Sequence, residues 1–162
     1  MIEITPIQVE HIAQAKRVIY TVAHNIFTPE LTLEEFIEEP DSQHWLDDVD
    51  DYQEIYAGSH GLLLVALDDG KVIGTGGIHK LKVDVAELKR IWLLEPYHGQ
   101  KIGFRVVSLL LDFARQNGYT SVYLETSAQQ ERAIAFYQKM GFRKIAGPHD
   151  EVDGVSMEMQ LV

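Results

Sequence analysis

The chain has 162 residues, the length of one compact domain, with 46% hydrophobic and 24% charged side chains, the usual balance of a globular protein. Aspartate and glutamate total 25 against 14 lysine and arginine, a formal net charge of −11 that repels nucleic-acid phosphates and anionic lipid heads. Cysteine is absent, which excludes disulfides, thiolate metal sites and cysteine-bound covalent intermediates. The opening MIEITPIQVEHI lacks the basic and apolar regions of a secretion signal. No apolar run approaches the roughly 20 residues that span a bilayer, so the composition points to the cytoplasm.

In chain order, Ile2 to Thr5 predicts a short strand stopped by Pro6. Ile12, Ala15, Ile19, Val22 and Ala23 recur at helical spacing and predict a helix from about Val9 to Asn25. Thirteen acidic residues and no lysine or arginine then fall between Val18 and Gly70. Outside that stretch 12 acidic residues face 14 basic ones, so nearly all the excess charge sits in it. Within it Leu31, Leu33, Phe36 and Ile37, and then Val49, Tyr52, Ile55 and Tyr56, predict two short amphipathic helices with acidic outer faces.

Leu62 to Leu67 and Val72 to Ile78 flank Asp68-Asp69-Gly70 and predict a hairpin with a two- or three-residue loop. A further strand is expected from Val85 to Leu94. Ile102, Val106, Leu109, Leu110 and Phe113 then mark a helix from Gly99 to Asn117. Ser121 to Glu125 reads as a strand, and Ser127 with Gln130 has the spacing of a capping box opening a helix that closes at Gly141. A last hairpin is expected from 142–145 and 155–161. The order indicates one mixed α/β domain over residues 1–162. Seven scattered histidines lack metal-ligand spacing, and 150–154 reads as a hairpin turn, so no metal is expected.

The most informative segment is IWLLEPYHGQKIGFRVVSLLLDF, residues 91–113, in which a strand passes through a glycine-bearing turn into a helix. Helix N-termini present unpaired amides and the positive end of the macrodipole, a ready site for a pyrophosphate. The stretch His98-Gly99-Gln100-Lys101-Ile102-Gly103 resembles the acetyl-CoA-binding loop of the GNAT superfamily of N-acetyltransferases, Arg/Gln-x-x-Gly-x-Gly/Ala. Ala133-Ile134-Ala135-Phe136-Tyr137-Gln138-Lys139-Met140-Gly141-Phe142 resembles the Ala-Ile-x-x-Tyr-x-x-x-Gly-Phe element of the same family, and Ala86 to Arg90 its central strand. His98 stands where arginine or glutamine is usual, and Lys101 where glycine is commonest.

That resemblance implies an α/β fold with a mixed, mostly antiparallel sheet, a central splayed parallel strand pair and flanking helices. It implies acetyl-CoA as cosubstrate and an acetyl group moved to a primary amine of a small molecule or peptide. With no cysteine to carry the acyl group, direct attack in a ternary complex is expected. By the same likeness Tyr137 is the candidate leaving-group acid and Glu87 the candidate base. Leu93 and Leu94 would meet the pantetheine arm through their backbones. His98, Gly99, Gln100, Lys101, Ile102, Gly103 and Phe104 would hold the phosphates, and Gln130 and Tyr137 would contact the coenzyme. The plainer alternatives are Tyr137 as a core ring beside Phe136, Glu87 as a strand-surface partner of Lys89 or Arg90, and Gln130 as a helix cap, and the motif favours the functional role for Tyr137.

The family places the acidic stretch beside the acceptor, which points to a cationic amine. Many members are dimers, though nothing in the sequence specifies an interface. The competing reading is a non-catalytic acyl-CoA-binding or protein-interaction module with the same fold.

Overall fold

A computed structural model describes residues 1–39, 42–148 and 150–161. Strand β1 (Ile2–Pro6) leads into α1 (Ile12–Phe27), followed by α2 (Leu33–Glu38) and two single-turn helices, α3 (Asp47–Asp50) and α4 (Tyr52–Ile55). Strands β2 (Leu62–Asp68), β3 (Lys71–Lys82) and β4 (Val85–Leu93) precede α5 (Ile102–Gln116). Then come β5 (Ser121–Ser127), α6 (Glu131–Met140), β6 (Arg143–Ile145) and β7 (Gly154–Gln160).

All seven strands join in one sheet of order β1-β2-β3-β4-β5-β7-β6. Each pairing is antiparallel except β4 with β5. The β2–β3 loop is the two-residue Asp69-Gly70, both at positive φ. The last two strands do form a hairpin, yet the later one, β7, slots between β5 and β6.

The continuous apolar run of β2 follows from burial on both faces. Leu64 and Ala66 point into a core shared with α5 and α6, centred on Val107, Leu110, Leu124 and Met157. Leu63, Val65 and Leu67 point into a second core under α1 with Ile19, Leu46 and Tyr56. Gly76 on β3 makes the α5 layer possible, because a Cβ there would lie 2.4 Å from Val106 Cγ1.

Three local expectations are corrected. The helix expected from Gly99 begins at Ile102, so Gly99 lies in the turn ahead of it. Its buried face is Val106, Val107, Leu110 and Ala114, which turns Leu109 outward at 46% exposure. The capping box does not form: Ser127 ends β5, and Gln130 is itself the N-cap of α6, without a side-chain cap. The two side chains still meet, Gln130 Nε2 donating to Ser127 Oγ at 3.4 Å.

The sheet opens at one place. Parallel pairing runs from Val85↔Ser121 to Leu88↔Leu124 and stops, while β4 continues to Leu93 beside β3 and β5 continues to Ser127 beside β7. Beyond Leu88 the β5-facing edge of β4 has no partner strand among the described residues, so its backbone groups are open to a ligand.

Candidate active site

A cleft of about 950 Å³ occupies this opening, near the upper end of the roughly 300–1,000 Å³ usual for ligand pockets. It receives walls from both layers. Ile91, Trp92 and Leu93 come from the free end of β4, the turn at His98, Gly99 and Lys101 from before α5, and Tyr137 with Phe136 from α6. From the opposite layer α1 contributes Val22 and Ile26.

The turn into α5 is shaped as an anion cradle. Gly99 sits at φ +83° with nothing within 4 Å of where a Cβ would be, and Lys101, the N-cap, sits at φ +63°. The first backbone bond into the helix is Arg105 N–H to the Lys101 carbonyl at 3.0 Å, which leaves the amides just before it without intrahelical acceptors. Lys101, Arg132 and Lys139 add cations to the cleft lining. Gly103 faces Phe136 Cζ at an ordinary 3.7 Å from its would-be Cβ, so packing alone does not demand glycine there.

The sequence candidates distribute unevenly. Leu93, His98, Gly99, Lys101, Ile102, Gly103, Phe104, Gln130 and Tyr137 all line the cleft, while Leu94, Gln100 and Glu87 do not. Leu94 gives its N–H to the Ile73 carbonyl at 3.0 Å and accepts from Tyr97 N–H. His98 Nε2 meets the Leu93 carbonyl at 3.1 Å, so the imidazole in the unusual first position of the loop closes that loop onto the end of β4.

Tyr137 is 7% exposed, flanked edge-on by Phe136 and Phe142, and its hydroxyl has no hydrogen-bond partner among the described residues. Burial pushes its phenol well above the usual tyrosine range, so it stays protonated. Glu87 lies on the stretch of β4 that pairs with both β3 and β5, where Oε1 meets His79 Nε2 at 3.1 Å across the strands. His79 in turn stands edge-on to Tyr56 at 5.8 Å. That cross-strand pairing replaces the sequence reading of Glu87 beside Lys89 or Arg90.

The acidic stretch turns its charges elsewhere. Glu34 pairs with Arg17, Asp50 with Lys16 and Asp48 with Arg90, while Glu35 closes a capping box with Thr32. None of Glu34, Glu35, Glu38, Glu39, Asp47, Asp48, Asp50 or Asp51 lines the cleft.

Arg90 is the residue that sequence reasoning missed. It sits at φ +58° within β4, where the register against β3 shifts between Thr75 and Gly77, and Thr75 Oγ1 donates to its carbonyl at 2.7 Å. A bulge bends the strand just before Ile91 enters the cleft. Only the pairing register reveals it, since nothing in an Arg-Ile-Trp run signals a bulge.

Among the described residues no three His, Cys, Asp or Glu side chains gather as a metal site would, and no helix is long and apolar enough to cross a membrane.

Comparison with known proteins agrees with this geometry. Residues 22–142 match the acetyltransferase (GNAT) family. N-acetyltransferase family 8 member 2 of Rattus norvegicus is 35% identical over 102 residues, covering 60% of this chain and 45% of the rat protein. The uncharacterized N-acetyltransferase YjgM of Escherichia coli K12 is 30% identical over 100 residues, 60% of each chain. The chain thus spans about half the length of the rodent relatives it matches. Among solved structures, an acetyltransferase of the GNAT family from Staphylococcus aureus Mu50 superposes over 100% of both chains with a TM-score of 0.84 at 21% identity. The PaiA N-acetyltransferase of Thermoplasma acidophilum, solved in complex with coenzyme A, covers 99% of both chains with a TM-score of 0.80 at 21% identity. Both show the shared fold.

Proposed function

The chain belongs to the acetyltransferase (GNAT) family, and from that premise we propose that it moves an acetyl group from acetyl-CoA to a primary amine of a small molecule or peptide, by direct attack in a ternary complex. The observation that carries this reading is the meeting, in one cleft, of an open helix N-terminus and an unpartnered, protonated phenol.

The residues present fit the cosubstrate. Free amides around Gly99 to Phe104, with Lys101 beside them, are suited to hold the pyrophosphate at the positive end of α5. The unpaired edge of β4 through Ile91, Trp92 and Leu93 is suited to take the pantetheine arm as an added strand would. Leu94 has less to offer, since its amide is already spent on Ile73. Gln130, at the start of α6, lines the cleft while its amide donates to Ser127, and it is our candidate for a side-chain contact to the coenzyme.

Acetyl-CoA supplies an activated thioester. The chain must hold an unprotonated amine against it and give the departing sulfur a proton. Tyr137 is our candidate for that proton, because its ring is buried, its phenol stays protonated, and the hydroxyl has no competing acceptor among the described residues. Glu87, oriented by His79, is our candidate to take a proton from the amine, through water, because its carboxylate does not itself line the cleft.

The test is to incubate the pure protein with acetyl-CoA and a panel of primary amines while following free thiol. Amine-dependent thiol release supports the enzyme. Tight coenzyme binding with no release for any amine would leave a non-catalytic binding module.

A further inference from the structure

The two layers that wall the cleft differ in chemistry. The α5–α6 side brings the free amides, Lys101, Arg132, Lys139, the Tyr137 hydroxyl and one carboxylate, Glu131, a predominantly cationic set suited to an anionic coenzyme. The α1 side brings Val22 and Ile26, one helical turn apart on the same face, and Trp92 beside them in the core under α1. Ile26 is 37% exposed at the wall of the cleft, so its side chain is open to a ligand there. Trp92 is fixed rather than loose: its ring meets Trp45 at 6.1 Å, and Trp45 lies under the Arg90 guanidinium at 5.2 Å.

With the coenzyme on the α5–α6 side, the acceptor must enter against the α1 side. Among the described residues that line the cleft the carboxylate is Glu131, on the α6 side; against Val22, Ile26 and Trp92 on the α1 side a second ammonium would meet none. Burying an unpaired cation against isoleucine and tryptophan is unfavourable, whereas an alkyl or aryl group gains by leaving water. We infer that the acceptor is a primary amine bearing an apolar substituent, read by Val22, Ile26 and Trp92, and not a polyamine. This rests on the proposed acetyltransferase reading. It also reverses the preference that net charge alone suggests. The field of −11 can speed the arrival of any cation, but arrival is screened by salt and contact is not.

The experiment compares two acceptor sets at 0.5 M salt (about the concentration at which steering is screened): leucine amide and phenylalanine amide against 1,4-diaminobutane and spermidine. The amino-acid amides should show kcat/KM about tenfold or more above the diamines, the size expected for filling an apolar pocket. Ile26→Glu, at a surface position that need not disturb folding, should raise KM for the amides about tenfold while leaving the coenzyme Kd unchanged by calorimetry. Val22→Thr, nearly isosteric, should do the same more weakly. Tryptophan fluorescence, measured with coenzyme A bound, should respond to phenylalanine amide and not to spermidine. Preference for the diamines with thiol release intact, or an unchanged KM in Ile26→Glu, overturns the inference alone. Absence of thiol release with every amine overturns the acetyltransferase reading with it.

Discussion

Asp48 and Arg90 form a buried, two-pronged ion pair between the acidic segment and the bulge of β4. Arg90 Nε and Nη2 donate to the two Asp48 oxygens at 3.0 and 2.9 Å, with side chains only 11% and 13% exposed. Arg90 Nη2 also reaches the Trp45 carbonyl at 2.9 Å, and Tyr56 donates to Asp48 at 2.6 Å. Both Asp48 oxygens and the Nε and Nη2 donors of Arg90 are thereby matched, and such pairing is what lets a buried ion pair be tolerated. The positive φ of Arg90 is held by this anchorage, and the strand that follows it is the floor of the cleft.

Asp48→Asn should therefore cost about 3 kcal/mol or more, because the Arg90 charge stays buried without its counter-charge. Burial by itself pushes the Asp48 carboxyl up, but the hydrogen bonds and charge of Arg90, with the Tyr56 hydroxyl, outweigh it and hold the group below the ordinary carboxylate range. A depressed acid contributes stability that is present above its unfolded value of about 4 and is lost as pH falls through the lower folded one. Urea unfolding from pH 7 to pH 3 should show the native protein losing stability below about pH 4 more steeply than Asp48→Asn. Parallel curves would remove Asp48 from the acid transition.

The elements were largely legible because each carries its own local signal: the apolar run of β2, the Asp-Gly turn, the spacing of α1 and α5. The junction at 91–113 was legible for the same reason, being one contiguous strand, turn and helix. What escaped depends on pairing across the chain. Arg90 meets Asp48 across 42 positions, and the insertion of β7 beside β5 is set by the sheet as a whole. The partners of the acidic stretch escaped too, since composition records how many charges there are and not which cations they already face.

Lys101 holds a left-handed conformation in the turn that lines the cleft, with an exposed side chain. Such a conformation costs an L-residue about 1–2 kcal/mol and glycine almost nothing. Lys101→Gly and Lys101→Ala both remove the charge, but only the first removes the strain. The glycine variant should be more stable than the alanine variant by about 1 kcal/mol in thermal unfolding, after glycine's greater unfolded-state entropy is counted. Both should weaken coenzyme binding by about threefold, more at low salt, as expected of one exposed ionic contact. A coenzyme Kd unmoved in both would place the Lys101 ammonium away from the phosphates.

Gly76 allows α5 to lie against β3, and Gly76→Ala would drive its Cβ to 2.4 Å from Val106 and 3.0 Å from Ile91. Overpacking of that kind costs about 1–3 kcal/mol. Because Ile91 also lines the cleft, the substitution should raise the coenzyme Kd as well as lower the melting temperature. Loss of stability with an unchanged Kd would show that the strain is absorbed on the Val106 side.

Tyr137→Phe tests the proposed acid with little structural disturbance, since the hydroxyl has no partner to lose among the described residues. A positioned acid contributes about 10²–10⁴ in rate, so kcat should fall by at least about a hundredfold while the coenzyme Kd holds. The raised phenol also sets a pH signature. In the native protein Tyr137 remains protonated beyond the ordinary tyrosine value of about 10, so kcat should show no alkaline fall from this group below that point. A fall in kcat near pH 9 that disappears in Tyr137→Phe would assign it an ordinary, solvent-accessible phenol and remove burial from the account.

Glu87 decides whether the chain deprotonates its own acceptor. If the Glu87–His79 pair takes the proton, Glu87→Gln should lower kcat at pH 7 by about a hundredfold, the lower range for a positioned base, and leave the coenzyme Kd alone. Raising the pH increases the share of amine that is already neutral, so the deficit should shrink steadily toward pH 10. The paired substitution His79→Gln, which keeps a hydrogen-bond donor facing Glu87, should lower kcat less than Glu87→Gln does, because the carboxylate remains and only its orientation and onward path for the proton are weakened. If Glu87→Gln matches the native enzyme at pH 7, the amine arrives neutral from solvent, and the pair serves only to join β3 to β4 beneath Tyr56.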